Sequence, residues 1–452
     1  MENVKRTSAQ QFWSLAWPAS LEGMIVMLLF AVNLLMVSSM GTNATSAVGI
    51  FSQPKMVILC VTRSISVAIS ARIAALFGQG EIRLLQSSFK QICMLTFWIS
   101  ALILLLSLSF LEPILNLAGA KTEYMVMALQ YAKPTMVALF FTGLSTVLSG
   151  GLLGVGQTKI ILAANAAGNV VSVLFSAVLI YGWGGIPSFG VAGAGYGTLS
   201  GAVVTFLMLV AVLLNPQNTL HIKSRKGWRP QKKELSAVWE IFTGTFTEQG
   251  VERVGMFLYS RMTADLGTVP FAVHTICMNL CDMYYSFAQG MGKASLVLAG
   301  QTLGAKDLNG FEDTAKIGQK IGFLLSALAF FGYTILRMPL IGIYDSSSAV
   351  LALGGQIMLF VAVVSVPEAH ALICAGTLRG AGKTRFVAVY SLISIAVIRP
   401  ILTWILCFHF NFGLYGAWSA LLFDQITRAV CADIGVRFTK KTLFAQRPAC
   451  SN

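Results

Sequence analysis

The chain is 452 residues long, 56% hydrophobic and only 11% charged, with a formal net charge of +14. A soluble domain carries about 25% charged residues, so this chain has too few to cover a wetted surface, which excludes a cytosolic enzyme. A nucleic-acid reader is excluded as well. Its positive charge would form a stripe on one wet face, whereas here Lys and Arg stand in short clusters between apolar runs.

A membrane-crossing helix needs about 20 mainly apolar residues. Such stretches are predicted near 12–40, 46–77, 88–111, 123–151, 159–182, 190–214, 236–265, 269–302, 315–337, 347–377, 384–409 and 413–437. The first is too long for a signal-peptide core, so no cleavable signal is expected. Connections are short and rich in Gly or Pro: Gly41-Thr42-Asn43, Gly78-Gln79-Gly80-Glu81, Gly154-Val155-Gly156-Gln157 and Gly184-Gly185-Ile186-Pro187. The longest, 215–235, is basic. All the runs exceed the roughly ten alternating residues of a barrel strand. The expected fold is therefore an all-α integral membrane protein with twelve transmembrane helices.

Orientation follows from Lys and Arg, which stay on the cytoplasmic side. Counting from one end, 21 of the 32 basic residues fall on a single side, including Lys223, Arg225, Lys226, Arg229, Lys232 and Lys233 of the middle loop. The other side holds Lys121 and Arg337. Both termini and the middle loop are expected in the cytoplasm.

The two halves resemble each other at an offset of 226: Glu22 falls on Glu248, Gly41-Thr42 on Gly267-Thr268, Gly78 on Gly304 and Gly150 on Gly376. Gly154-x-Gly156-x-Thr158-Lys159 falls on Gly380-x-Gly382-x-Thr384-Arg385. Near the end the offset slips to 223, where Phe189-Gly190-x-x-Gly193-Ala194 matches Phe412-Gly413-x-x-Gly416-Ala417. Six spans per copy make both copies enter from the same side, giving a parallel repeat: two pseudo-symmetric six-helix bundles, 1–214 and 236–452, joined by a basic linker, 215–235. Secondary transporters built this way bind substrate near the midplane and alternate access by rocking.

Several stretches then resemble the multidrug and toxic compound extrusion (MATE) transporters. They are Glu248 with Leu266-Gly267-Thr268 and Ala272-Val273-His274-x-Ile276-x-x-Asn279, Gly300-Gln301-x-Leu303-Gly304-Ala305, and Gly376-x-Leu378-Arg379-Gly380-Ala381-Gly382-x-Thr384-Arg385. The resemblance implies a cation-driven antiporter that expels organic compounds without ATP, and no phosphate-binding Gly-x-x-x-x-Gly-Lys-Ser/Thr loop occurs in the chain. Two departures stand out. Asn33 occupies the position where bacterial relatives often carry a first-helix Asp, which puts proton coupling through the first half in doubt. Gly382-Lys383-Thr384 replaces their Gly-Asp-Thr.

A charge at the bilayer centre costs about 3 kcal/mol on insertion scales, so each acid within a span needs a reason. Glu248 is the leading ion-coupling candidate, by the resemblance and by its repeat partner Glu22. Glu248 and Glu252, four apart, share a helix face, which suits either ion exchange or a structural ion-pair network. Asp282 has three possible partners: Lys293 about three turns on, Arg253, or a bound cation. Glu368 follows Pro367, whose missing N–H can kink the helix and free a carbonyl toward a cavity. Asp424 and Arg428 are spaced as a local pair.

The ion-coupling set is thus Glu248, Asp282, Glu252 and Glu22, and the substrate-lining set Asn33, Gln53, Asn279, Glu368 and Arg253. No catalytic constellation, metal site or cofactor is expected; the coupling ion is H+ or Na+. The partners are a small-molecule substrate and membrane lipids, with no nucleic acid, and the chain is expected to act as a monomer in the cytoplasmic (inner) membrane. The function these readings reach is efflux of an amphipathic cationic or zwitterionic compound against H+ or Na+. The alternative, favoured by the many membrane cations, is a flippase or exporter of an anionic amphiphile or lipid-linked metabolite.

Overall fold

The computed structural model describes residues 9–183, 187–222, 227–228 and 231–445; inside the helices, the side chains of residues 29–31, 34, 42, 53 and 233 are not described. The Gln53 side chain, the loop residues Gly184-Gly185-Ile186 and the linker residues Lys223, Arg225, Lys226 and Arg229 therefore lie outside the described residues.

Among the described residues, twelve long helical rods follow one another: α1 (Ala9–Ser38), α2 (Thr42–Gln79), α3 (Ile82–Ser109), α4 (Thr122–Gly154), α5 (Thr158–Tyr181), α6 (Val191–Leu214), α7 (Lys232–Ala264), α8 (Thr268–Gly304), α9 (Leu308–Ile335), α10 (Ser348–Gly380), α11 (Thr384–His409) and α12 (Gly413–Ala445). The shortest, of 24 residues, is about 36 Å long, enough to cross a hydrocarbon core of about 30 Å. Seven of the rods contain an 18-residue stretch apolar enough to span a membrane by composition alone. In α7 and α12 that run is broken by acids and bases, Glu248, Glu252, Arg253 and Arg261 in the first and Asp424, Arg428, Asp433 and Arg437 in the second. α10 runs unbroken through Pro367.

The chain divides into two compact units. The first is Leu21–Phe242; the second combines Met1–Ser20 with Thr243–Asn452. The boundaries fall inside α1 and α7. In the first unit α2 packs on α4, α3 on α4, α4 on α6 and α5 on α6; in the second α8 packs on α10, α9 on α10, α10 on α12 and α11 on α12. The same four pairings occur twice. Short helices at Leu111–Leu117 and Arg337–Gly342 also repeat.

Atomic contacts carry the repeat further. A Cβ on Gly150 would lie 2.6 Å from the Ser66 carbonyl oxygen, and one on Gly376 would lie 2.1 Å from that of Gly292. Ser66 and Gly292 are themselves 226 apart. These crossings are close because the side chain is absent. Gly41 and Gly267, which precede α2 and α8, both take positive φ, 105° and 109°, a region that penalises any residue with a Cβ.

The slip in offset has a structural cause. α11 is two residues longer than α5, at 26 against 24. The extra residues are absorbed as two π-helical stretches, Leu392–Ile398 and Ile405–His409, each a wider turn that accommodates an insertion without breaking the rod. Gly193 accordingly abuts the Leu179 carbonyl while Gly416 abuts that of Leu406, an offset of 227 before α6 and α12 begin. The turn after α11 is then shorter, with Gly413 reached three residues after Phe410 where Gly190 comes eight after Gly182.

The described part of the connecting segment 215–231 is folded against the first unit rather than hanging free. Leu220 is fully buried in its core. Gln157 donates to Asn218 at 2.6 Å, Gln86 to the Thr219 carbonyl at 3.0 Å, and the Gln231 amide to Gln91 at 2.8 Å. The first turn of α7 is clamped to the same unit: Arg72 grips both oxygens of buried Glu234 at 2.8 and 2.9 Å, and Ser88 donates to it at 2.5 Å. Bidentate geometry of this kind gives the strongest side-chain ion pairs.

Candidate functional site

In the first unit, Glu22 accepts a hydrogen bond from Asn165 on α5 at 2.7 Å. Asn33, on α1 eleven residues further along, is half-buried. Where α5 meets α6, Gly168 and Gly201 let the backbones touch, and a Cβ on Gly168 would lie 2.7 Å from the Gly201 carbonyl oxygen.

The second unit is built differently at the equivalent crossing. Ser394 stands for Gly168 and Asp424 for Gly201. Ser394 donates to the Asp424 carboxylate at 2.5 Å, and the Arg399 guanidinium donates to its other oxygen through Nε at 3.1 Å and through Nη2. Asp424 is fully buried and the Arg399 side chain is 3% exposed. Met256 and the Tyr259 ring complete the guanidinium's surroundings. The expected local pair of Asp424 with Arg428 is thereby corrected. Arg428 stays within electrostatic reach of Asp424, but the hydrogen-bonded partner is Arg399, which the preceding π-helical turn leads into.

Glu248 and Glu252 share α7 but have different partners. Glu248, 7% exposed at its side chain, accepts from Arg379 at 2.6 Å, joining the α7 acid to the arginine of the Leu378-Arg379-Gly380 run. Glu252 accepts from Tyr285 on α8 at 3.1 Å. Replacing Glu248 with Gln is expected to lower stability by about 1.5–3 kcal/mol, because Arg379 keeps an acceptor but loses its counter-charge. The check is the melting temperature in detergent. An unchanged value would mean that the pair adds nothing to the fold.

Asp282 on α8 is half-buried and within electrostatic reach of Arg253 and Glu252. Glu368 on α10 is 4% exposed, and its hydrogen-bond partner among the described residues is the thiol of Cys281, at 3.9–4.0 Å. Such a thiol is a weak donor. Asp282, Glu252, Arg428 and Arg399 are the charges that act on Glu368. Glu252, Asp282 and Glu368 thus form a triad of mutually interacting carboxyls. The Nε atoms of Arg379 and Arg428 are buried and without a hydrogen-bond partner among the described residues. Asn279 and Arg253 are exposed.

The resemblance and the repeat point to Glu248, its helix face to Glu252, and its place within a span to Asp282, but none of these readings gives Arg379, Arg399 or Ser394 as partners. Asp424 is marked by its place within a span, whereas Ser394 is marked only by the repeat, in which both residues stand where the first copy has glycine.

A family model described as MatE matches the chain twice, over residues 18–178 and 245–405, one match to each repeat. The uncharacterized transporter YisQ of Bacillus subtilis is 21% identical over 418 residues, covering 92% of both chains. The multidrug resistance protein MdtK of Photorhabdus laumondii is 24% identical over 417 residues, covering 88% of this chain and 84% of its own. Among solved structures, the outward-facing conformation of a multidrug resistance MATE family transporter of the MOP superfamily matches with a TM-score of 0.91 at 19% identity, covering 99% of both chains. At that identity the likeness is one of fold.

Proposed function

This chain belongs to the MatE family, and from that premise we propose that it is a secondary active efflux transporter. It exchanges an amphipathic organic compound, cationic or zwitterionic, for H+ or Na+. The observation that carries this reading is the triad of Glu252, Asp282 and Glu368 within the helices of the second unit. Three carboxyls in mutual reach inside a membrane need compensating positive charge, which Arg253, Arg428 and Arg399, the last of them already paired with Asp424, supply only in part. A proton, a sodium ion or the cationic end of a substrate supplies the rest, and each displaces the others. That competition is the basis of antiport.

The Glu248–Arg379 pair is self-neutralising and holds α7 to α10 beside the triad. The unpartnered Nε atoms of Arg379 and Arg428 offer donors to the polar end of a zwitterion. Glu22 with Asn165, and Asn33, form a lesser polar site in the first unit. The transporter works as a monomer in the inner membrane, with both termini in the cytoplasm and without ATP.

The test is uptake of a fluorescent organic cation into proteoliposomes under an imposed pH gradient, then a sodium gradient. Uptake driven by one of them is expected, and it identifies the ion. No movement under either gradient would overturn the organic-cation reading.

A further inference from the structure

Outside the carboxyl triad, α10 and α12 of the second unit bring together a second group of ligating side chains. His370 and Cys374 are four apart on α10, so they share one face. Asp433 reaches them from α12. His370 Nε2 lies 3.6 Å from the Cys374 sulfur and 3.6 Å from Asp433 Oδ1, and ligand atoms of all three residues lie within 4.8 Å of one another. For tetrahedral Zn2+, bonds of about 2.0–2.3 Å place neighbouring ligand atoms about 3.3–3.6 Å apart. Two of the three separations already have that value.

The surroundings suit the same ion. Arg437 holds Asp433 Oδ2 at 2.7 Å, which leaves Oδ1 turned toward the group. The Gln319 carboxamide on α9 donates to the Cys374 sulfur at 3.3 Å and to Asp433 Oδ1 at 3.4 Å. Metal-ligating thiolates and carboxylates are characteristically supported by such outer hydrogen bonds. A thiolate, a carboxylate and a neutral imidazole balance a divalent ion, so the loaded group carries no net charge in a place where net charge is costly. Cys374 is 1% exposed, whereas the side chains of His370 and Asp433 are 35% and 22% exposed, leaving a route for entry.

We propose that His370, Cys374 and Asp433 bind one Zn2+ ion, with Gln319 positioning the thiolate and the carboxylate. Binding releases the thiol proton to solvent and leaves the fourth position to water. Because the ligands come from two helices, the ion ties α10 to α12.

The test uses the full-length, tag-free chain in detergent, titrated with Zn2+ against a chromophoric chelator and, separately, with Co2+ followed by absorption. One Zn2+ per chain is expected, together with a thiolate-to-Co2+ charge-transfer band. Cys374→Ser should abolish the band, and Asp433→Asn should weaken Zn2+ binding at least about tenfold. Gln319→Leu, which keeps all three ligands, should weaken it about 10- to 100-fold. Cys431→Ser should change nothing, which controls for general damage from losing a cysteine. Failure to bind Zn2+ in competition with the chelator, or the same stoichiometry and spectrum in Cys374→Ser, would overturn the proposal.

Discussion

Replacing Arg399 with Met is expected to destabilise the second unit by about 3–5 kcal/mol, the usual cost of stranding one member of a buried ion pair. Asp424 is fully buried and receives two hydrogen bonds from Arg399 and one from Ser394. Without the guanidinium its negative charge has a hydroxyl donor and, at greater range, Arg428. The double variant Arg399→Met with Asp424→Leu should recover most of the loss, because an apolar pair of similar volume avoids desolvating two ions. The first unit supplies a natural comparison: its equivalent crossing, at Gly168 and Gly201, carries no charge. Thermal unfolding of the three proteins in detergent decides the matter. A single variant as stable as the parent, or a double variant no better than the single, would mean that the pair does not hold α11 to α12.

Asp282→Asn is expected to leave the fold intact and to abolish gradient-driven uptake. Asp282 is half-buried and has no hydrogen-bond partner among the described residues, so its replacement takes an acceptor from no other group and should leave the melting temperature nearly unchanged. Antiport, however, depends on the linkage between cation and substrate binding. Such coupling is typically worth about 5- to 150-fold, so uptake should fall at least about fivefold under the gradient that drives the parent protein. Glu368→Gln should behave alike. Glu248→Gln should instead lose stability, since its partner Arg379 is left with an unbalanced charge. Two acids that disrupt coupling and one that disrupts folding would separate the triad from the ion pair. Full activity in Asp282→Asn would remove the triad from the mechanism.

The elements and the repeat were legible because both rest on local patterns. Apolar run length marked the twelve rods, and glycines at fixed intervals marked crossings that the backbone contacts of Gly150 and Gly376 then reproduced. The contacts of the polar groups were less legible. Spacing within one helix pointed Asp424 to Arg428, four residues away, but packing pairs it with Arg399 on another helix. The inserted π turns could be read only as an offset drifting from 226 to 223, because a gain of two residues in α11 is masked by a larger loss in the turn that follows. His370 and Cys374 stand four apart in the sequence, but no metal site is read from it, because Asp433 joins them only through the packing of α10 on α12.

The most direct measurement follows both fluxes at once: substrate uptake and cation release from the same proteoliposomes, for the parent protein and for Asp282→Asn. Obligatory exchange through the triad requires that each burst of substrate entry be matched by departing H+ or Na+, and that both fluxes disappear in the variant. Substrate entry with no counter-flux in the parent, or matched fluxes that persist in Asp282→Asn, would contradict it.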